Sequence, residues 1–267
     1  MTLHELMIKT NHYLIKGGQL TDAHKAKIVN QFLDEVSSQS VADRFYTGVK
    51  FPKNTDDTGR QMYPWFYIPP YNGGKKLKTV LGQTPGTHIL SANMYELEIL
   101  RLLHLLATDN PDVKAMINRT LERLKTTCYG KDGCEMGECY DTSIVVLRFL
   151  ATVVPHDRYW INERIHTYYL HFDKKKRPWF IKWYFWLCLS ELPFDIAEPN
   201  IIRYKNEILT QVNRSCVMNS ENDKTIHPVI ICAIRNAISR LPEFEYIKDR
   251  QPYVNETDGR LYFDMQK

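Results

Sequence analysis

The fold of this chain is decided by residues 91–125, which read SANMYELEILRLLHLLATDNPDVKAMINRTLERLK. Leucines recur at helical spacing from Leu97 to Leu103, and Ser91 is a residue type that caps helix starts. A turn ending in Pro111 follows, and proline fits the first turn of a helix. The stretch therefore predicts two consecutive helices joined by a short turn, which together form a helical hairpin.

The same arrangement recurs three more times along the chain. Helical patterns cover 140–153 and 158–172, then 178–190 and 193–216, then 226–240 and 243–250. All four turns within these pairs carry proline, the first helices start at a loose period, and no residue signature repeats. We predict an all-α fold of repeated antiparallel helical hairpins, forming either an α/α barrel (toroid) or an α-solenoid.

The remaining sequence divides into two helices, a long irregular segment and a tail. Amphipathic patterns predict helices at about 2–16 and 21–37, whereas 46–90 loses helical periodicity and is rich in proline and glycine. Its tract MYPWFYIPPY is too apolar for a free linker, so we expect 46–90 to pack on the body. We predict a single domain over 1–267, comprising 1–45, 46–90, a hairpin body at 91–250, and a tail at 251–267 with one short strand.

The composition indicates a globular protein and argues against nucleic-acid-binding and membrane-spanning proteins. Hydrophobic residues at 43% and charged residues at 25% are typical of a globular chain, and the net charge of +4 comes from basic residues spread among acids. We therefore expect no nucleic-acid partner. No apolar stretch reaches the ~20 residues of a membrane span, and the first residues lack the apolar block of a signal peptide. The six cysteines then predict reduced thiols in the cytoplasm.

The connections between hairpins carry the polar chemistry. If the first helices of the pairs run parallel, these connections gather at one end, beside helix N-termini that favour anions. Candidate catalytic residues there, as general acids or bases, are Glu138, Asp141 and His227. Candidate ligand-binding residues are Trp65, Tyr67, His88, Asn93, Arg177 and Trp179. The alternative is that these side chains are helix caps, solvated loop residues or packed aromatics.

Cysteines are concentrated in one connection, where Cys128, Cys134 and Cys139 follow a C-x5-C-x4-C spacing. This spacing does not match the CxxC pairs of structural zinc sites, so we expect free thiols, no metal and no cofactor. The sequence also lacks the G-x-S-x-G, P-loop, Rossmann and HExxH motifs of common hydrolases, nucleotide-binding proteins and zinc peptidases.

Residues 137–150, GECYDTSIVVLRFL, resemble the repeats of α/α-toroid proteins such as terpenoid cyclases and protein prenyltransferase β subunits. The resemblance implies a helical barrel with its active cleft at one mouth. It extends over about 91–240 in pattern, but in residues it covers only this stretch. The D-x-D-D and Q-W motifs of the cyclases and the Asp-x-Cys zinc arrangement of the prenyltransferases are missing, so the resemblance implies no residue roles.

Two functions fit these observations. The first is binding of, or action on, a small molecule such as a glycan or an isoprenoid-like ligand, in a polar and aromatic cleft at one end of the helical body. The second is a helical scaffold without catalytic activity that holds a peptide or a partner protein. The irregular segment favours the first, because it is long enough to cover a cleft.

Overall fold

The computed structural model describes residues 1–36, 75–86, 88–131, 138–172, 179–212 and 216–264, and this part of the chain is mostly helical. Its α-helices, numbered in chain order, are α1 Leu3–Ile15, α2 Asp22–Val36, α3 His88–Leu106, α4 Pro111–Lys125, α5 Glu138–Val153, α6 Arg158–Phe172, α7 Trp179–Glu191, α8 Phe194–Val212 and α9 Glu221–Ile238. Within these residues, none of the helices combines the length and the apolarity that crossing a membrane requires.

Capping residues decide where several helices begin. Thr2 and Glu5 form a capping box at α1, and the Asn110 side chain accepts from the first backbone N–H groups of α4. Ser220 caps α9 through the N–H of Asp223, so this helix begins at Glu221, five residues before the predicted start. The sequence prediction placed the start at Ile226, and Pro228 lies inside the helix. The prediction that Ser91 caps α3 is wrong, because this helix begins at His88 and Ser91 lies inside it.

The tail forms a small sheet. Strands β1 Cys216–Val217, β2 Tyr253–Val254 and β3 Arg260–Tyr262 pair antiparallel in the order β1–β3–β2. The predicted strand near 260 is thus present. The prediction that the helix before it continues to Cys216 is wrong, because α8 ends at Val212 and Cys216 pairs with Leu261 in the sheet. A 3₁₀ helix, Pro242–Ile247, occupies the predicted last helical segment.

The first helices of the predicted pairs lie inside the molecule. Helix α3 packs on α5, α5 on α7, and α7 on α9, while α1 contacts both α9 and α3. Five consecutive side chains of α7, from Phe185 to Leu189, are buried, so this helix has no solvent-exposed face there. In α4 the buried residues instead follow a single stripe, as expected of an outer amphipathic helix.

Residues 75–86 lie against the helical body. The backbone carbonyls of Lys78 and Val80 each lie 2.7 Å from a histidine Nε2 of α1, on His4 and His12 respectively, and Val80 and Leu81 are buried. Gly82 has φ of +78°, and a Cβ at this position would lie 2.8 Å from Ile226 Cγ1. This part of the predicted irregular segment therefore runs from α1 to the start of α9, and residues 46–74 lie outside the described part.

An ion-pair network occupies the middle of the core. The fully buried Arg148 of α5 places Nη1 2.8 Å from both carboxylate oxygens of Glu98 on α3, and its Nε and Nη2 lie 2.8 Å from Glu191 on α7. Arg101 of α3 binds the same Glu191 at 2.5 Å and the Asn11 side chain of α1 at 3.1 Å. One network therefore connects four of the inner helices.

The charges within this network determine one another's ionisation. Burial alone would raise the pKa of Glu191, but the neighbouring Arg101 and Arg148 outweigh it and the pKa is lowered. Burial would lower the pKa of Arg148, yet Glu191 and Glu98 hold it well above its usual value. Tyr184 donates its hydroxyl hydrogen to Glu98, and burial, followed by the Glu98 charge, raises its pKa well above normal. Glu191 is therefore a carboxylate at neutral pH, paired with the charged guanidinium of Arg148.

We expect Arg148→Met to lower the free energy of unfolding by about 3–5 kcal/mol, because it leaves two carboxylates buried without a full set of partners. Adding Glu98→Gln should recover part of that loss, since it removes one of the stranded charges. Lys224→Met, which breaks an exposed pair with Glu221, is the control and should cost less than about 1 kcal/mol. Urea denaturation measures all three, and equal losses in Arg148→Met and Lys224→Met would contradict the expectation.

The α1 histidines make stability depend on pH. Burial, the largest effect, lowers the pKa of both His4 and His12 below the ordinary histidine value of 6.5. The unfolded chain therefore takes up protons first as the pH falls below about 6.5, and stability decreases between pH 7 and pH 5. We expect a smaller decrease in the double variant His4→Gln/His12→Gln. His24→Gln, at an exposed position on α2, is the control and should keep the wild-type decrease in urea midpoint.

Candidate functional site

An apolar cavity of about 170 Å³ lies between α7, α8, α9 and the sheet. Its apolar walls come from α8, α9 and β3, with an aromatic edge at Trp183 of α7. The lining side chains are Trp183, Gln211, Val212, Cys216, His227, Ile230, Ile231, Ile234, Leu261, Tyr262 and Phe263. Most of this wall is hydrophobic and a few polar groups converge on it, which is the usual composition of a small-molecule site.

Strand pairing brings the polar groups of the cavity together. Cys216 stands opposite Leu261 in the β1–β3 ladder, so the thiol is held at the edge of the sheet. The Ser220 cap starts α9 four residues later and places His227 on its second turn, where Nδ1 lies 3.7 Å from Cys216 Sγ. A thiol and an imidazole eleven residues apart therefore form a contact pair at the cavity.

The Cys216–His227 pair has the composition of an activated nucleophile. A thiolate, not a thiol, attacks carbon electrophiles, and a neighbouring imidazole can accept the thiol proton. Cys216 is exposed, so reagents can reach it, whereas Cys188 on α7 is buried and its pKa is raised well above normal by burial. Among the described cysteines, Cys216 is the one that the structure places beside both a histidine and a cavity.

Contacts of Lys182, outside the cavity, position two of the side chains that line it. Lys182 places its Nζ 2.8 Å from Gln211 Oε1 and 2.9 Å from Glu207, and lies 5.0 Å from the centre of the Trp183 ring. These contacts fix Gln211 and Trp183, which both line the cavity. The described residues contain no group of three or more side chains that could hold a metal ion.

The predicted carboxylates Glu138 and Asp141 lie in the first turn of α5. Glu138 accepts a hydrogen bond from the backbone N–H of Gly86, so the connection before α3 does meet the start of α5. The predicted base His227 contacts Cys216 on β1 instead, and neither carboxylate is among the described side chains that line its cavity. The cavity therefore brings His227 together with a cysteine that the sequence prediction did not include.

Of the predicted ligand-binding residues, the structure describes the side chain of Asn93. Asn93 is buried, donates to the carbonyl of Ile89 at 2.8 Å and accepts from Arg123 at 3.0 Å, so it links α3 to α4. His88 and Trp179 are the first residues of α3 and α7, and their side chains lie outside the described part. Trp65, Tyr67 and Arg177 also lie outside the described residues.

Two of the three clustered cysteines contact each other. Cys128 Sγ and Cys139 Sγ lie 3.7 Å apart across the connection between α4 and α5, and neither forms a disulfide. Cys134 lies outside the described residues. This pair brings two thiols together, whereas the Cys216–His227 pair brings a thiol and an imidazole together.

Comparisons with protein-family models, with curated proteins and with solved structures found no match for this chain. Its function is therefore inferred from the geometry of the described residues alone.

We expect Cys216 to react with iodoacetamide faster than Cys128, the other exposed cysteine among the described residues, because His227 can accept its proton. The variant His227→Gln should slow the reaction of Cys216 by about tenfold or more, while leaving that of Cys128 unchanged. Peptide mass spectrometry of the carbamidomethylated protein measures both rates in one sample. Equal rates at the two cysteines in the wild-type protein would show that the imidazole does not activate the thiol.

Proposed function

We propose that this protein binds a small molecule with an apolar tail in the cavity between α7, α8 and α9, and transfers an acyl group from it through Cys216. The observation that carries the proposal is the 3.7 Å contact between Cys216 Sγ and His227 Nδ1 at an apolar cavity. A nucleophile beside a base, next to a hydrophobic pocket, is the arrangement that acyl transfer requires.

The cavity size limits the ligand. An engineered protein cavity of about 150 Å³ binds benzene, so about 170 Å³ accommodates an apolar group of similar size. A short acyl chain or a single isoprenoid unit fits this volume, whereas a sugar would leave its hydroxyl groups facing isoleucine and leucine side chains. The proposal therefore favours an acyl or isoprenoid-like ligand over a glycan for this cavity.

The chemical step follows from the two side chains. His227 accepts the proton of the Cys216 thiol, and the thiolate attacks the carbonyl carbon of an ester or thioester. A carbon–sulfur bond to the enzyme forms, the bond to the leaving oxygen or sulfur breaks, and the leaving group takes up a proton. Water or a second nucleophile then releases the acyl group. The step requires a reduced thiol, which suits a reducing compartment such as the cytoplasm.

The proposal includes the arrangement of the helices. We place α1, α3, α5, α7 and α9 as the inner helices of an α/α toroid of helical hairpins. The supporting observation is that the contacts from α3 through α5 and α7 to α9 return to α3 by way of α1, which touches both ends of that series. An open solenoid would instead leave the first and last helices apart.

The alternative of a scaffold for a peptide or protein partner has less support. Such a scaffold needs a continuous apolar surface or a broad groove. The apolar cavity is instead small and lies among side chains from three helices and the sheet, with reactive groups at its edge. These features favour a small molecule.

p-Nitrophenyl butyrate tests the proposal, because acylation of Cys216 releases coloured p-nitrophenolate. We expect a burst of about one equivalent per chain, followed by slower turnover. Cys216→Ala should abolish the burst and His227→Gln should slow it by about a hundredfold. Cys128→Ala, at an exposed thiol away from the cavity, should leave it unchanged.

Filling the cavity separates ligand binding from thiol reactivity. Ile231→Trp adds volume to the α9 wall and so fills part of the cavity. We expect it to slow the reaction with p-nitrophenyl butyrate about tenfold. The reaction with iodoacetamide, which has no apolar tail, should keep its rate. A burst that persists in Cys216→Ala, or an equal effect of Ile231→Trp on both reagents, would contradict the proposed function.

A further inference from the structure

A pair of thiols in the connection between α4 and α5 lies apart from the proposed site. Cys128 follows the end of α4 and donates its thiol hydrogen to the sulfur of Cys139, in the first turn of α5, over 3.7 Å. Cys128 is exposed and Cys139 is half-buried, so a dissolved reagent can reach the pair. Neither of these two cysteines lines the apolar cavity. The pair therefore has a chemistry of its own, which depends on how its two sulfurs are held.

The backbone that follows the first thiol is fixed against α6. The buried side chain of Arg164 donates through Nη1 to the carbonyl of Tyr129 at 3.1 Å and through Nη2 to the carbonyl of Lys131. Trp160 Nε1 donates to the carbonyl of Gly130, which lies between them, at 2.6 Å. Two side chains of one helix thus hold three consecutive carbonyls, and the position of the preceding cysteine is set with them.

The second thiol is fixed by the start of α5. Cys139 follows Glu138, the first residue of this helix, whose carbonyl accepts from the hydroxyl of Thr142 at 2.7 Å. The Glu138 side chain also accepts from the backbone N–H of Gly86, in the connection before α3. Both sulfurs therefore meet from anchored backbone, and holding two reacting groups together makes their reaction effectively unimolecular.

The other described cysteines have different surroundings. Cys188 and Cys232 are buried, and burial raises the pKa of both thiols, which lowers their reactivity at neutral pH. Cys216 is exposed, but its contact is the imidazole of a histidine. Within the described residues, Cys128 and Cys139 are thus the two solvent-accessible thiols that contact each other.

We propose that Cys128 and Cys139 form a reversible disulfide when the protein meets a small-molecule disulfide such as glutathione disulfide. The thiolate of one cysteine attacks a glutathione sulfur, which forms a mixed disulfide and releases one glutathione. The second cysteine, as its thiolate, attacks the protein sulfur of that mixed disulfide and displaces the second glutathione. Two protein thiols and one glutathione disulfide thus give one protein disulfide and two glutathione thiols, which take up the two protons that the cysteines lose.

Formation of this bond requires a small movement of the two side chains. A disulfide has a sulfur–sulfur distance of about 2.05 Å, so the sulfurs must approach by about 1.7 Å from their separation of 3.7 Å. Rotation of the side chains between staggered positions moves the sulfurs by more than this. In a reducing compartment, disulfides of this kind are transient and sense the redox state. The pair is thus a modification site that responds to oxidation and is reset by thiols.

Peptide mapping under non-reducing conditions tests the proposal on the full-length protein. Cleavage after lysine, arginine and glutamate places Cys128, Cys134 and Cys139 in separate peptides, 126–131, 132–135 and 139–148. After incubation with about 1 mM glutathione disulfide, we expect the first of these peptides to be joined to the third without bound glutathione. Treatment with dithiothreitol should separate them again.

Variants and unfolding supply the controls. Cys134→Ser should keep the cross-link, whereas in Cys128→Ser glutathione should remain bound to Cys139. In about 8 M urea, loop-closure entropy favours the shorter loops that Cys134 closes with either neighbour, so the Cys128–Cys139 product should be in the minority. In the folded protein it should exceed both other products by about tenfold or more. A folded protein that does not form this cross-link, or in which Cys134 replaces either partner, overturns the proposal.

Discussion

A guanidinium group in the middle of an apolar core must be neutralised, and the rest of this structure depends on how Arg148 meets that requirement. Its five N–H donors face two carboxylates that reach it from different helices, Glu98 from α3 and Glu191 from α7. Because the guanidinium is planar and rigid, the carboxylates must lie in its plane on separate edges, which fixes the positions of both helices around α5. Arg101 extends the same constraint to α1 through Asn11.

The network reaches one end of the inner helices, whereas the side of these helices that faces the sheet is apolar. Glu191 is the last residue of α7, so the network ends at the surface where the helix carboxyl ends meet. Isoleucines of α9, Leu261 of β3 and Phe263 after it line the apolar cavity, and its polar groups come from Cys216, His227, Gln211 and Tyr262. The two regions therefore differ in chemistry, with paired charges at the helix ends and hydrophobic side chains beside a thiol and an imidazole at the apolar cavity.

Helical periodicity and turn residues were sufficient to predict which segments form helices, because each pattern depends on residues close in sequence, but several helix ends were predicted wrongly. The Leu97–Leu103 pattern and the Asn110–Pro111 turn are examples, and both are present. The partner of His227 was not predictable, because it follows from the pairing of Cys216 with Leu261, forty-five positions away. Arg148 did leave a signal in the sequence, a single charge within the apolar run Ile144–Ala151, which marks a buried ion pair without naming its partners.

The spacing of the network along the chain has a consequence for synthesis on the ribosome. Glu98 precedes Arg148 by 50 residues, but Glu191 follows it by 43. At about 5–20 residues per second, Arg148 exists for roughly two to nine seconds before Glu191 has been made. During that interval, burial of α5 would leave Arg148 without one of its two carboxylate partners. Burying an incompletely paired charge costs free energy, so the hydrated state of this helix is favoured. The core with all of its buried charges paired can therefore form only after Glu191, the last residue of α7, has been made.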